Sequence, residues 1–499
     1  MIRRALLLST GERYLTITVN FAMLALVSRI LTPVEIGVSV IGMSIIGIAL
    51  AFREFASSQF LIQKPELTRE DIRAAFGVIL VLTLVIALAL AISSRPLAQL
   101  FNEPGLDRYL KVISGCILID TLSTHVISLL RREMAFGKVA VLNTTLALTS
   151  AVVTVTLAIK GFSYMSFALG WLVASIVASA MAVCFRPHLW MYRPSLRRAR
   201  AMVRFGGYNG GSYLLFMMAE HLPYALLGKI VSMEATAIYN RALTISQIPE
   251  KIFIGGAVPV ILPALASEAR EGRSVKKAYL HGLEIITVLQ WPALLVLAVL
   301  ASPVVDIVLG NQWHDSIPIV RIVAIASLFS FSFALNDPAL MAIGHVRDVF
   351  IRALITFPVV MVAITLAALI GGLEMTAWSL MFVIPFRAFI AINVVCRRLS
   401  MRWRDIGVAT WRSLAVASTT VAVPLAIAVS SDVPFEFSIS QTVAAVCAAG
   451  AGWLAGLWMT DHPMRKEIFN AMAHIRASRA SPSPPSSTAA HLAAEQDVT

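Results

Sequence analysis

Residues 74–92 read AAFGVILVLTLVIALALAI, a run with one hydroxyl, Thr83, and no charge. Arg69, Glu70, Asp71 and Arg73 stand just before it and Arg95 just after it. As a helix rising 1.5 Å per residue the run is about 28 Å long, close to the roughly 30 Å of a bilayer's hydrocarbon core. It is too long and too continuously apolar for the alternating strand of a membrane barrel. In lipid the backbone must satisfy its own hydrogen bonds, so such a run is a transmembrane helix. Similar runs recur along almost the whole chain, near 14–33, 36–58, 109–130, 139–159, 163–185, 206–229, 236–264, 281–301, 316–341, 350–370, 373–395, 411–430 and 439–459. With 58% hydrophobic and only 14% charged residues and a mean hydropathy of +0.79, the chain reads as an all-α polytopic membrane protein. About fourteen spans are expected.

The net charge of +13 is scattered through the short connections rather than gathered on one soluble face, which argues for membrane topology and against nucleic-acid binding. If both termini are cytoplasmic, alternate connections carry most of the cations: Lys64 to Arg73, Arg131 to Lys138, Arg186 to Arg204, Arg270 to Lys277, Arg347 and Arg352, and Arg397 to Arg412. The opposite connections hold only Arg29, Arg95, Arg108, Lys111, Lys160 and Lys229. That asymmetry is the positive-inside pattern, and one span more or fewer would scramble it. Met1 to Leu8 reads as a retained cytoplasmic end rather than a cleaved leader. Cys116, Cys184, Cys396 and Cys447 lie far apart in apolar segments and read as packing residues. The tail from Ala477 is rich in Ser, Pro and Ala and is expected to be disordered.

Internal symmetry is visible. Leu26–Thr32 pairs with Leu226–Ser232 at an offset of 200, Leu90–Leu97 with Leu297–Val304 at 207, Leu110–Val112 with Val320–Ile322 at 210, and Met134–Gly137 with Met341–Gly344 at 207. Six spans separate equivalent points, so the two halves run in the same sense, as in a parallel repeat about an axis along the membrane normal. The expected units are an N-terminal lobe over 1–204, a C-terminal lobe over 205–400, two appended spans over 401–462 and a tail over 463–499, with substrate bound between the lobes.

Three patches carry a family resemblance. Ser28-Arg29-Ile30-Leu31-Thr32-Pro33-Val34-Glu35-Ile36-Gly37 resembles the R-x-L-x-P-x-x-x-G signature that closes the first span of bacterial polysaccharide flippases. Leu130-Arg131-Arg132-Glu133-Met134-Ala135-Phe136 resembles their connection after the fourth span. Ile238–Ala242, Gln247–Pro249 and Pro259–Leu265 resemble their eighth span, from which Glu250-Lys251 departs as a charged pair in mid-span. The resemblance is to the polysaccharide transporter branch of the multidrug/oligosaccharidyl-lipid/polysaccharide exporter superfamily. It implies a bacterial inner-membrane flippase that moves undecaprenyl-diphosphate-linked oligosaccharide units by alternating access, serving exopolysaccharide, capsule or lipopolysaccharide synthesis. It also implies polysaccharide polymerase and chain-length or export machinery as partners, and no cofactor.

Charged residues inside spans are costly and therefore mark function by default. For a diphosphate-bearing substrate the side chains of choice are arginines. The cavity candidates are Arg241, Arg387, Lys251, Glu250, Arg53, Glu54, Arg321 and Asn20; Glu220, His221 and Asp120 are candidates for coupling to an ion. Structural readings stand beside them: Arg53-Glu54 as an interfacial pair, Glu250-Lys251 as a self-neutralising pair, Arg321 as a helix-end anchor and Asn20 as interhelical packing. Two other functions compete. A drug or cation antiporter would favour an acidic or aromatic cavity. A membrane polymerase or ligase would need a large outer loop with clustered catalytic groups, whereas the longest outer connection, about 93–108, holds no such cluster. No metal-ligand spacing, Walker loop or nucleophile motif occurs.

Overall fold

The computed structural model describes residues 2–53, 61, 66–197, 199–255, 258–431, 434–467 and 469; the expectation for the tail beyond 477 falls outside them. Among the described residues every regular element is helical. The first half comprises α1 (Ile2–Ile30), α2 (Pro33–Ala51), α3 (Arg69–Leu100), α4 (Gly105–Arg132), α5 (Phe136–Ile159) and α6 (Met165–Phe185). The second comprises α7 (Ala199–Ile230), α8 (Met233–Ser246), α9 (Ile248–Phe253), α10 (Val258–Arg270), α11 (Val275–Val299), α12 (Ala301–Val308), α13 (Ser316–Ala326), α14 (Phe333–Ala342) and α15 (Val346–Arg398). Finally come α16 (Trp403–Ser430) and α17 (Ile439–Met459).

Ten helices among the described residues are long and apolar enough to cross a membrane, against the fourteen spans expected. The difference has physical causes. Segments 2–30 and 199–230 are helical and long enough, but polar residues dilute their hydropathy, and 233–270 is broken into three short helices around Pro249 and Gly255. Residues 346–398 form one continuous helix by hydrogen bonding, yet Gly371 and Gly372 leave helical geometry, Gly372 at φ +59°. The expected spans at 350–370 and 373–395 are therefore the two arms of α15, hinged at a residue type that tolerates this backbone.

Most helices pack on others of their own half, α2 excepted. α1 packs on α5, α5 on α6, α6 on α4 and α4 on α3; in the second half α7, α13 and α14 pack on α15, and α8 and α11 pack on α13. α16 and α17 pair with each other and lean on α11. Small residues bring these helices close, with Gly170 of α6 against Thr154 and Gly452 and Gly456 of α17 against Thr419 and Val416.

The repeat is visible in the turns. α1 and α2 are separated at Thr32, whose hydroxyl caps the Glu35 N–H while the Glu35 carboxylate accepts from the Thr32 N–H (2.8 Å). Two hundred residues on, α7 and α8 are separated at Ser232, which caps Ala235. α4 ends with Met134 at φ +56° and an Ala135 N–H to Leu130 O bond; α14 ends with Gly344 at φ +79° and a His345 N–H to Leu340 O bond. Both are left-handed helix ends of Schellman type. Met134 therefore corresponds to Gly344, at an offset of 210. The residue-by-residue alignment of Met134 with Met341 was three positions out of register, because backbone handedness and not side-chain type defines the equivalence.

Candidate substrate cleft between the lobes

α2 is the element on which the lobes meet, and it packs against both α7 and α8. Its contacts run along most of its length. Gly37 lies against the Met233 carbonyl, Ile41 against Gly228, and Gly47 against the His221 imidazole, each so close that a Cβ on the glycine would collide. Around its first turn the two halves are latched by donors reaching backbone carbonyls. Arg29 donates to Ile307 O (2.5 Å), Lys229 to Leu100 O (2.7 Å), Trp313 Nε1 to Ser28 O (2.8 Å), and Gln312 Nε2 to Leu31 O (3.1 Å) and to Ser28 O. The carbonyls of Ser28 and Leu31 sit at the end of α1, where helical partners run out, so they are ready acceptors. Toward the other end Tyr14 Oη donates to Ile252 O (2.9 Å). These donors hold the two halves together at the Arg29 end.

Away from that end, charged side chains pair within each half. On the first lobe Arg53 pairs with Asp120 at 3.5 Å, and Asp120 also accepts from Thr124 Oγ1 (3.0 Å) and Ser123 Oγ (3.2 Å). Glu54 lies outside the described residues. On the second lobe Arg387 faces Glu220 at 3.9 Å and lies over the Phe333 ring at 5.3 Å. Arg387 also interacts electrostatically with Arg352 and Asp337, and Glu220 with Glu250, which is half-buried beside the more exposed Lys251. Arg352 grips Asp337 at 2.5 Å. Asn20 is exposed on α1, and His221 is wedged at the glycine contact of α2.

Two further arginines of the expectation are engaged by aromatic rings. Arg241 is only 6% exposed and packs under the Trp313 ring, 5.7 Å from its centre, where it backs the latch. Arg321 lies 4.9 Å from the Phe435 ring and donates to Phe435 O (3.4 Å), so it ties α13 to the connection before α17. Arg352 and Asp337 were missed. Arg352 reads as a cation of a connection, but α15 begins at Val346 and carries it almost two turns inward. Asp337 had a local signal, a carboxylate inside an apolar run just before Pro338.

The cleft is less cationic than the arginines alone suggest. Arg53, Arg352 and Arg387 each face a carboxylate, which is what a low-dielectric setting demands of resident charges. The pairs differ in closeness: Arg352–Asp337 is tight at 2.5 Å, while Arg387–Glu220 at 3.9 Å is the loosest of them.

A family model described as polysaccharide biosynthesis protein matches residues 26–318, from the end of α1 to the start of α13. The chain belongs to the polysaccharide biosynthesis protein family. Among relatives of this family member, the succinoglycan biosynthesis transport protein ExoT of Rhizobium meliloti is 24% identical over 365 residues, covering 73% of this chain and 74% of that protein. The lipopolysaccharide biosynthesis protein WzxC of Escherichia coli is 22% identical, covering 62% of this chain and 64% of that protein. In fold, this polysaccharide biosynthesis protein resembles the lipid II flippase MurJ in an inward closed conformation (TM-score 0.70, 12% identity, 90% of this chain and 97% of that one). It also resembles an inward-facing multidrug transporter of the MATE family (TM-score 0.64, 15% identity, 79% of this chain and 98% of that one).

Proposed function

We propose that this chain is a bacterial inner-membrane flippase that carries a lipid-linked, diphosphate-bearing oligosaccharide between leaflets by alternating access. The observation that supports the reading is Arg387 beside a carboxylate loose enough to be displaced, in a molecule whose halves are held together by hydrogen bonds at the Arg29 end. With fourteen crossings and both termini in the cytoplasm, the Arg29 latch faces outward and the cleft opens inward, ready for a substrate made on the cytoplasmic side. The polyprenyl chain can remain in lipid while the sugar and about two negative charges cross through the cleft. The diphosphate takes the place of Glu220 on Arg387, in the paired geometry that guanidinium and phosphate favour. Breaking the latch then opens the outer side. The relatives named as biosynthetic transport proteins support transport over polymerase or ligase chemistry.

Deletion of the chain followed by chemical analysis of lipid-linked sugars tests this. Complete repeat units confined to the inner leaflet are the expected result. Accumulation of incomplete units would point to an enzyme and overturn the proposal.

A further inference from the structure

A second groove lies outside the cleft, where α16 meets α11. It encloses about 550 Å³ and is lined by Leu280 and Glu284 of α11 and by Arg402, Arg404, Asp405, Val408, Trp411 and Arg412 around the start of α16. Arg404, Val408, Trp411 and Arg412 follow helical spacing and so form one face. On that face Trp411 is 54% and Val408 61% exposed, so apolar surface and arginines share one wall. α16 is 28 residues long, about 42 Å, and exceeds the hydrocarbon core by roughly 12 Å. Counting about 20 residues back from Ser430 reaches Trp411, which puts Trp411 and Arg412 at the hydrocarbon boundary and Arg404 among the headgroups.

Its charges are arranged unlike those of the cleft. Lys276 neutralises Asp405 at 2.7 Å. Arg412 and Glu284 stand at the same depth on neighbouring helices, since Ser413 donates to Glu284 O at 3.3 Å. They interact electrostatically, yet no ion pair joins them. His281 Nδ1 lies 3.9 Å from the Glu284 carboxylate, and Arg412 donates to Asp461 O at 3.4 Å. Among the described residues Arg404 has no carboxylate partner. An anion-lined or cation-lined slot would select one sign of charge; this one presents both, apart and level.

We propose that this groove binds one phospholipid whose headgroup carries a phosphate and a primary ammonium, the phosphate on Arg412 and Arg404 and the ammonium on Glu284. Such a headgroup lies in the membrane plane, as the level placement of Arg412 and Glu284 requires, with its glycerol against Trp411 and its acyl chains running from there into the hydrocarbon. Basic pockets between transmembrane helices take anionic headgroups; the carboxylate here turns that selectivity towards the zwitterion. The bound lipid bridges the appended pair α16–α17 to the second lobe.

The test is native mass spectrometry of the purified full chain, delipidated and then offered phosphatidylethanolamine and phosphatidylglycerol in equal amounts. Wild type is expected to retain phosphatidylethanolamine about tenfold more, the worth of one charge-assisted contact. Glu284→Gln should remove that preference while leaving phosphatidylglycerol retention unchanged, and Glu284→Arg should reverse it. Arg404→Gln with Arg412→Gln should lose both lipids. Equal retention by wild type, a preference for phosphatidylglycerol, or a preference unaltered in Glu284→Gln would overturn the proposal. Stabilisation of the folded chain by added phosphatidylethanolamine, read by thermal unfolding, gives a second measurement for any variant that purifies poorly, and its persistence in Glu284→Gln would overturn the proposal equally.

Discussion

Arg387 and Glu220 are the pair on which the proposed cycle turns. Their 3.9 Å separation leaves Arg387 attracted to a carboxylate without being saturated by it. Arg387→Ala should abolish transport with normal membrane insertion, measured as lost surface polymer, while Arg387→Lys should restore only part of it because an ammonium cannot make the paired contact. Glu220→Gln removes the competitor, so binding of undecaprenyl diphosphate to the purified chain should tighten roughly threefold to tenfold while turnover falls through slower release. Unchanged affinity in Glu220→Gln would show that the two anions do not share Arg387. The Arg352–Asp337 pair should behave as a structural contact. Asp337→Asn should destabilise the fold by about 1–2 kcal/mol, less than the 3–5 typical of a fully buried pair because Asp337 is 38% exposed. Arg241, seated under Trp313, should affect the latch and not substrate affinity.

At the scale of elements, the start of α2 and the short turn at Asn311–Trp313 form the moving joint. Gly37→Val would drive a side chain into the Met233 carbonyl, and overpacking of that kind costs about 1–3 kcal/mol. The penalty applies only when the Arg29 end is closed, so the variant should populate the outward-open state. Labelling of a cysteine placed at Leu31 by an impermeant thiol reagent should then rise. Trp313→Phe keeps the ring and removes the donor to Ser28 O, and should raise labelling in the same direction. The helix ends of the repeat give an opposed pair. Gly344→Ala should lose about 1 kcal/mol and Met134→Gly should gain a comparable amount, because both positions hold positive φ.

Across the whole molecule, alternating access requires the latch to open in every cycle. A disulfide between cysteines introduced at Ser28 and Gln312, in a chain otherwise free of cysteine, should stop transport and release it on reduction. Transport that continued with the crosslink in place would show that the lobes need not separate at that end. The lipid groove lies away from this joint, so the crosslink should leave phosphatidylethanolamine retention unaltered.

The amino-acid sequence alone determined the class of the fold, since uninterrupted apolar runs of membrane length admit only helices. It also carried the family resemblance, in the pattern of Arg29, Leu31, Pro33 and Gly37. It pointed to Arg387, Glu220, Arg53 and Asp120, because a charge within an apolar run is conspicuous in one dimension. Tertiary structure decided which of these charges meet. Arg241 and Arg321 look equivalent to Arg387 in the sequence, yet aromatic partners contributed by other segments, Trp313 and Phe435, take them out of the cleft. Arg352 enters it because a helix begins earlier than the apolar run does. The counterions of the arginines come from other helices, and so the sequence could count the charges of the cleft but not their pairing.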